Sequence, residues 1–297
     1  MAEKEAQFLK DIESSSADVR FAAWRRAGEM DPQVIPALAN LMASSQPGVA
    51  RAAREALEAI THSVGVANSD RRRTVIRQFL TVLQNNRAET VKAQLLRQLS
   101  LIGGDETVPV AAKFLKDPKL REEAAFCLER IPGAAADAAL AGAIASAPDD
   151  FKARLLAALG HRRSEVGIPH AAQAMQSSNK ELAIAGAKAW GRIGKTTAAP
   201  VKLPERAGLT EWQKTELLDS QLRFAEAQAA NGNAAEAIAI YKGFLDEKEE
   251  HWQCAALVGL SKIHLPEAAM AIYSKLKSRN PRVRITAIKA WRKHSEA

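Results

Sequence analysis

The sequence predicts an all-α protein: an α-solenoid (α-α superhelix) of about eight stacked helical hairpins. Three observations carry that expectation. One helical pattern recurs at a nearly fixed spacing, its apolar residues fall on a single stripe, and each occurrence follows a second helical segment. Taking the first large apolar residue of each occurrence as its anchor gives Val19, Val49, Val91, Leu120, Phe151, Leu182, Trp252 and Val283, separated by 30, 42, 29, 31, 31, 70 and 31 residues. A fixed period in this range marks a stacked repeat array. The gap of 70 equals one repeat of 31 plus an insertion of 39.

The anchored helices show why stacking is needed. Four residues past each anchor stand Ala23, Ala53, Leu95, Ala124, Leu155, Gly186, Ala256 and Ala287, and eight past stand Ala27, Leu57, Leu99, Leu128, Leu159, Trp190, Leu260 and Trp291. Eleven past come Met30, Ile60, Ile102, Ile131, Ile193 and Ile263, with Arg162 and His294 as departures. These positions share one stripe of a 3.6-residue helix, with small residues where a neighbouring helix must come close. A lone helix cannot bury such a stripe.

The segments before the anchors supply the other half of each hairpin. Val34-Ile35-Pro36, Thr107-Val108-Pro109 and Gly167-Ile168-Pro169 each place proline in a first turn, where the backbone amides lack helical partners anyway. The breaks at Asp117-Pro118, Pro148-Asp149-Asp150 and Ser177-Ser178-Asn179 offer capping residues for the anchored helix that follows.

The style of that second helix, as in Asp18-Val19-Arg20-Phe21-Ala22-Ala23, resembles the HEAT repeat. The resemblance is to the short variety found in phycobilisome-lyase-type arrays, and it covers residues 1–194 and 234–297. It implies a right-handed solenoid whose second helices line a concave surface. Repeats one to six are expected in 1–194 and repeats seven and eight in 234–297, continuous with the same solenoid.

Between them, 195–233 reads as an inserted loop, Thr196 to Pro204, followed by helix from about Thr210. Ala225, Gly232, Ala237, Tyr241 and Phe244 stand at spacings similar to the small and aromatic positions of a tetratricopeptide hairpin, whereas Gln221 and Gln228 depart from that pattern. Ala237-Ile238-Ala239-Ile240-Tyr241 recurs as Ala269-Met270-Ala271-Ile272-Tyr273, so the insertion's last helix is expected to open the seventh repeat.

Composition narrows the function. A solenoid of 297 residues needs no second core, because each repeat contacts only its neighbours. The two cysteines, Cys127 and Cys254, have no metal or redox spacing and read as packing residues. The first thirteen residues lack a long apolar run, and the alanine-rich tract from Ala134 to Ala147 is too short to span a bilayer. A cytoplasmic protein with no membrane partner is expected.

Charge is unevenly placed. The net charge is +8, and residues 195–251 hold seven Lys/Arg against ten Asp/Glu, which leaves +11 on the remainder. Six or ten residues past the anchors, Arg97, Arg130, His161, Lys188, Arg192, Lys262, Lys289 and Lys293 form a candidate basic stripe. It reads either as a solvated helix face or as a binding surface for an acidic partner. Arg20, Lys92, Arg121, Lys152 and Arg284, with Asp18, Asp117, Asp149 and Asp150 before the anchors, read instead as a ladder between neighbouring loops. Arg71, Arg72, Arg73 and Arg77 read as a solvated outer face.

No catalytic motif is found. Ala189 to Thr196 fits a relaxed phosphate-loop pattern, but helix precedes it where the chemistry needs a strand. The six histidines are scattered, none in the His-Glu dipeptide of HEAT-type iron hydroxylases. The expectation is a non-enzymatic protein-interaction scaffold without cofactor, its concave stripe taking a partner with an acidic surface. Self-association through Ile285 and Ile288 of the last repeat is also expected. A nucleic-acid binder similar to DNA alkylation-repair glycosylases is the second reading. Against it stand the apparent lack of aromatics along the stripe, with Phe21 and Phe126 placed elsewhere, and the lack of an acid among the basic positions. A chromophore lyase is the third reading.

Overall fold

The computed structural model describes residues 3–65, 69–85, 88–195 and 201–295. All regular structure among the described residues is helical, and the chain divides into two compact units, Met1–Ala147 and Pro148–Ala297. The expected loop residues Thr196 to Pro200 lie outside the described residues.

The first unit contains α1 (Glu3–Glu13), α2 (Ala17–Arg25), α3 (Ile35–Leu41), α4 (Pro47–Val64), α5 (Asp70–Gln84), α6 (Glu89–Ile102), α7 (Val108–Ala111), α8 (Arg121–Arg130) and α9 (Ala134–Ile144). Two rows result: α2, α4, α6 and α8 pack in series as second helices, with α3, α5, α7 and α9 in series behind them.

The second unit contains α10 (Asp149–His161), α11 (Ile168–Met175), α12 (Lys180–Ile193), α13 (Glu211–Ala230), α14 (Ala234–Phe244), α15 (Glu250–Leu260), α16 (Pro266–Tyr273) and α17 (Pro281–Ser295). Its second-helix row runs α10, α12, α13, α15, α17, backed by α11, α14 and α16.

The helix starts follow local chemistry. Ser16, Ser69 and Asn179 accept from amides of the first turns of α2, α5 and α12, while Thr210 and Gln213 form a reciprocal capping box on α13. Pro36, Pro109 and Pro169 occupy the expected first turns. Asp149 and Asp150 differ from expectation: Pro148 is the N-cap of α10, and the two acids sit in its first turn, where they favour the positive helix end.

The anchor register matches burial along almost the whole chain. Positions four past the anchors are buried in every repeat, and those eight past are buried except Trp291, which is half-buried. Val19 is 40% exposed. The two exceptions lie on α2 and α17.

The insertion extends the second-helix row. Trp190 of α12 stacks on Phe224 of α13 with ring centroids 3.8 Å apart. Gly191 and Gly194 permit this approach, since a Cβ on either would collide with the Ser220 carbonyl or with Ala227 Cβ. Gly194 also caps α12 in the left-handed region at φ 64°. Buried Gln228 donates to the Gly194 carbonyl at 2.9 Å and accepts from Asn233 at 2.7 Å. Its departure from the tetratricopeptide pattern therefore ties α13 to the end of α12.

Loop ladders step from one repeat to the next. Lys119 donates to Glu89 at 2.7 Å, Asn179 to Asp149 at 3.2 Å and Asn280 to Glu250 at 2.7 Å. The bases after the anchors act more locally: Arg20 caps the carbonyls of Ser14 and Ser15, Arg284 that of Ser278, and Lys152 pairs with Asp149. The arginine run of α5 corrects the sequence reading. Arg71 donates to the carbonyls of Gly28 and Met30, and Arg72 to that of Ile102. These two arginines cap neighbouring helical ends and are half-buried.

Candidate functional site

The buried stripe of each second helix leaves positions six and ten facing away from the packing, so the candidate basic residues lie on that outer face. In the first unit, Arg97 pairs with Glu123 at 3.0 Å, and Arg130 holds its guanidinium 5.6 Å from the centre of the Phe126 ring. Phe126 is 42% exposed. Arg25 covers the exposed Phe21 in the same way at 5.5 Å.

In the second unit, α13 changes what the stripe is. Lys188 pairs with Glu216 at 2.5 Å and lies 5.7 Å from the centre of the Trp212 ring, which is 59% exposed. Lys262 pairs with Glu226 at 2.7 Å, and Arg223 with Asp219 at 2.6 Å. Arg192 Nη1 donates to His161 Nε2 at 2.7 Å. Guanidinium has no acceptor, so that ring nitrogen carries no proton. Lys289 and Lys293 are exposed on α17.

Two expectations are overturned here. Acids do sit among the basic positions, because Glu216, Asp219 and Glu226 project from α13 into the row. Aromatics also accompany the stripe, since Phe126 lies under Arg130 and Trp212 beside Lys188. The acids were missed because α13 falls outside the repeat register that generated the stripe. Phe126 was assigned to another line of α8, yet it stands four residues before Arg130 and so on the same helical face.

Two recesses of about 500 Å³ each open along this row. The first, between α13 and α15, includes Asp219, Arg223, Glu226, Tyr241 and Lys262. Burial, with Glu226 adding, pushes the Tyr241 hydroxyl up to about 12, and pairing with Asp219 raises the Arg223 guanidinium further above its ordinary value. The second recess lies at the C-terminal ends of α10, α12 and α13, lined by His161, Arg163, Arg192, Lys195, Arg223 and Glu226. Arg163 is absent from the predicted stripe because it follows the helix. The Gly191-to-Lys195 segment of the phosphate-loop pattern is a helix C-terminus with glycines for close packing, opposite in polarity to a phosphate cradle. No helix among the described residues is long and apolar enough to cross a membrane.

No family model matches the chain, and no curated protein does either. Among solved structures it is similar to importin β in an ammonium sulfate condition, at 12% identity and a TM-score of 0.53, over 98% of this chain and 45% of that one. It is also similar to an engineered protein, at 16% identity and 0.46, over 100% and 90% of the two chains, and to a Kap121p mutant, at 15% and 0.46, over 100% and 34%. The chain thus spans less than half of importin β and about a third of Kap121p. The importin β likeness is one of fold alone, an α-solenoid of HEAT-like repeats.

Proposed function

We propose that the protein is a non-enzymatic interaction scaffold whose second-helix faces receive another protein through an acidic segment with apolar side chains. The short-period HEAT character of the repeats and the tetratricopeptide-like insertion belong to this reading. One observation carries it: the face of the second unit alternates in sign, with Glu216, Asp219 and Glu226 seated against Lys188, Arg223 and Lys262. A phosphate backbone gains affinity from each cation free to neutralise it and is repelled by such acids. A protein partner can meet both signs. Exposed Trp212 and Phe126, each beside a cation, supply the aromatic and arginine composition in which protein-interface energy concentrates.

The nucleic-acid reading keeps one specific support, since the same cation–aromatic pairs would stack on unpaired bases. Affinity capture from nuclease-treated native extract separates the two. The parent is expected to recover a defined protein that a variant with Arg130, Arg192, Lys262 and Lys293 each changed to Glu does not. Nucleic acid recovered from untreated extract, with no protein surviving nuclease, supports the rival. Undiminished capture by the variant removes this face as the binding surface.

A further inference from the structure

The recess at the ends of α10, α12 and α13 contains a residue in a costly conformation. Arg163 has φ 52° and is the one non-glycine residue with positive φ among the described residues. Its amide donates to the Gly160 carbonyl at 3.1 Å and the Ser164 amide to the Leu159 carbonyl at 3.0 Å, the paired bonds of a Schellman cap in which the left-handed residue is ordinarily glycine. The next repeat shows the ordinary solution. Gly194 stands at the corresponding position, twelve residues past its anchor, at φ 64°.

Strain of this kind is retained where surrounding structure or function requires that side chain. Cations in a last helical turn are favoured by the negative helix end, which accounts for Arg192 on α12. It does not account for Arg163, which lies beyond the last turn of α10 in a strained position.

The charges of the recess are mostly committed. Lys195 pairs with Glu165 at 3.6 Å, Arg223 with Asp219, and Glu226 with Lys262. Arg163 and Arg192 have no carboxylate partner among the described residues, and Arg192 is held against the His161 ring. Two guanidiniums without a carboxylate partner on one recess match a carboxylate, which a guanidinium can bind through two parallel hydrogen bonds.

We infer that this recess is a carboxylate anchor for the acidic segment of a partner protein, with Arg163 as its specificity-determining residue. The inference rests on the protein-binding reading above. Its probe is a fluorescein-labelled peptide of alternating Glu and Leu, with free or amidated C-terminus, followed by anisotropy against the parent, Arg163→Gly and Arg163→Lys. Labelled oligothymidine serves as the phosphate arm.

Arg163→Gly is expected to weaken peptide binding roughly tenfold or more, as when an interface hot spot is truncated. Its melting temperature should stay at or above the parent's, because glycine relieves the left-handed strain. Arg163→Lys should retain part of the binding. Equal binding of the two peptide ends assigns side-chain carboxylates, and dependence on the free end assigns the terminal carboxylate.

Parental binding by Arg163→Gly, no peptide binding by the parent, or a Gly variant that also melts lower would overturn the anchor. So would oligothymidine binding more tightly than the peptide and depending on Arg163. Peptide binding lost in the four-site Glu variant but kept in Arg163→Gly rejects the anchor and leaves the scaffold reading standing.

Discussion

At the scale of single residues, Trp190 shows how one side chain joins two sources of order. Its position eight past the anchor Leu182 marks it as core, and it is 6% exposed. Its partner Phe224 belongs to the insertion, so the stack fastens that insertion to the array. Trp190→Ala is therefore expected to cost about 3–5 kcal/mol, the usual range for removing a large buried aromatic; a urea melt superimposing on the parent's would show that the stack carries no weight. The cysteines give a second residue-scale prediction. Burial pushes the Cys127 thiol up to about 12, and only thiolate reacts with iodoacetamide. Cys254 is half-buried. Native protein at pH ~8 should take one label, at Cys254, and a second at Cys127 only in denaturant. Labelling of Cys127 first would refute the burial assignment. The recurrence of apolar or small residues at 0, 4, 8 and 11 past each anchor made the Trp190 core position legible. What it could not show is which side chain meets Trp190, because Phe224 follows no repeat.

At the scale of elements, periodic hairpins were readable from spacing and proline placement, whereas the placement of α13 was not. Gln228 and Gly194 explain the difference, since a polar residue in a core row looks like a loop signal until the carbonyl it satisfies is known. Gly194→Ala tests that junction. It adds a methyl against Ala227 in a left-handed backbone, and overpacking typically costs about 1–3 kcal/mol; unchanged stability would mean α12 and α13 are free to separate. The loop ladders carry a pH signature. Hydrogen bonding from Asn179, and then from Lys152, holds the Asp149 carboxyl below its ordinary value. Asn280, and then Arg282, does the same for Glu250. A depressed carboxyl stabilises the fold above its unfolded pKa of about 4 and loses that contribution as pH falls through the folded value. Asp149→Asn with Glu250→Gln should then lower the urea midpoint at pH ~7, with the gap to the parent narrowing as pH falls below about 4. A gap that is constant with pH would assign these residues a purely steric part. The sequence displayed the acids before the anchors, but the asparagines that bind them stand one repeat away and are visible only once the hairpins stack.

At the scale of the whole molecule, net charge alone misleads. A chain of +8 whose residues 195–251 sum to −3, leaving +11 on the remainder, invites a phosphate-binding surface. The insertion does not sit apart from the basic repeats, however, because α13 occupies the second-helix row and its acids engage Lys188 and Lys262 directly. We predict that these acids select against nucleic acid, by the same logic that makes repulsive groups a source of specificity. Of the candidate lysines and arginines in the second unit, Lys188 and Lys262 already hold carboxylates, which leaves Arg192, Lys289 and Lys293 to neutralise phosphates. Duplex DNA should then show a log affinity against log salt slope of about −2.7, at roughly −0.9 per phosphate. Its affinity near physiological salt should be no tighter than the ~0.1 mM weak end of non-specific binding. Changing Glu216, Asp219 and Glu226 to their amides frees Lys188, Arg223 and Lys262, so the slope should steepen toward about −5.4 and affinity for DNA should rise. The same variant should bind the acidic Glu-Leu peptide at least as tightly as the parent, because it loses only repulsion. If the parent already shows the steeper slope and the triple variant changes nothing, α13 is no selector. The second-helix face would then be a phosphate surface after all.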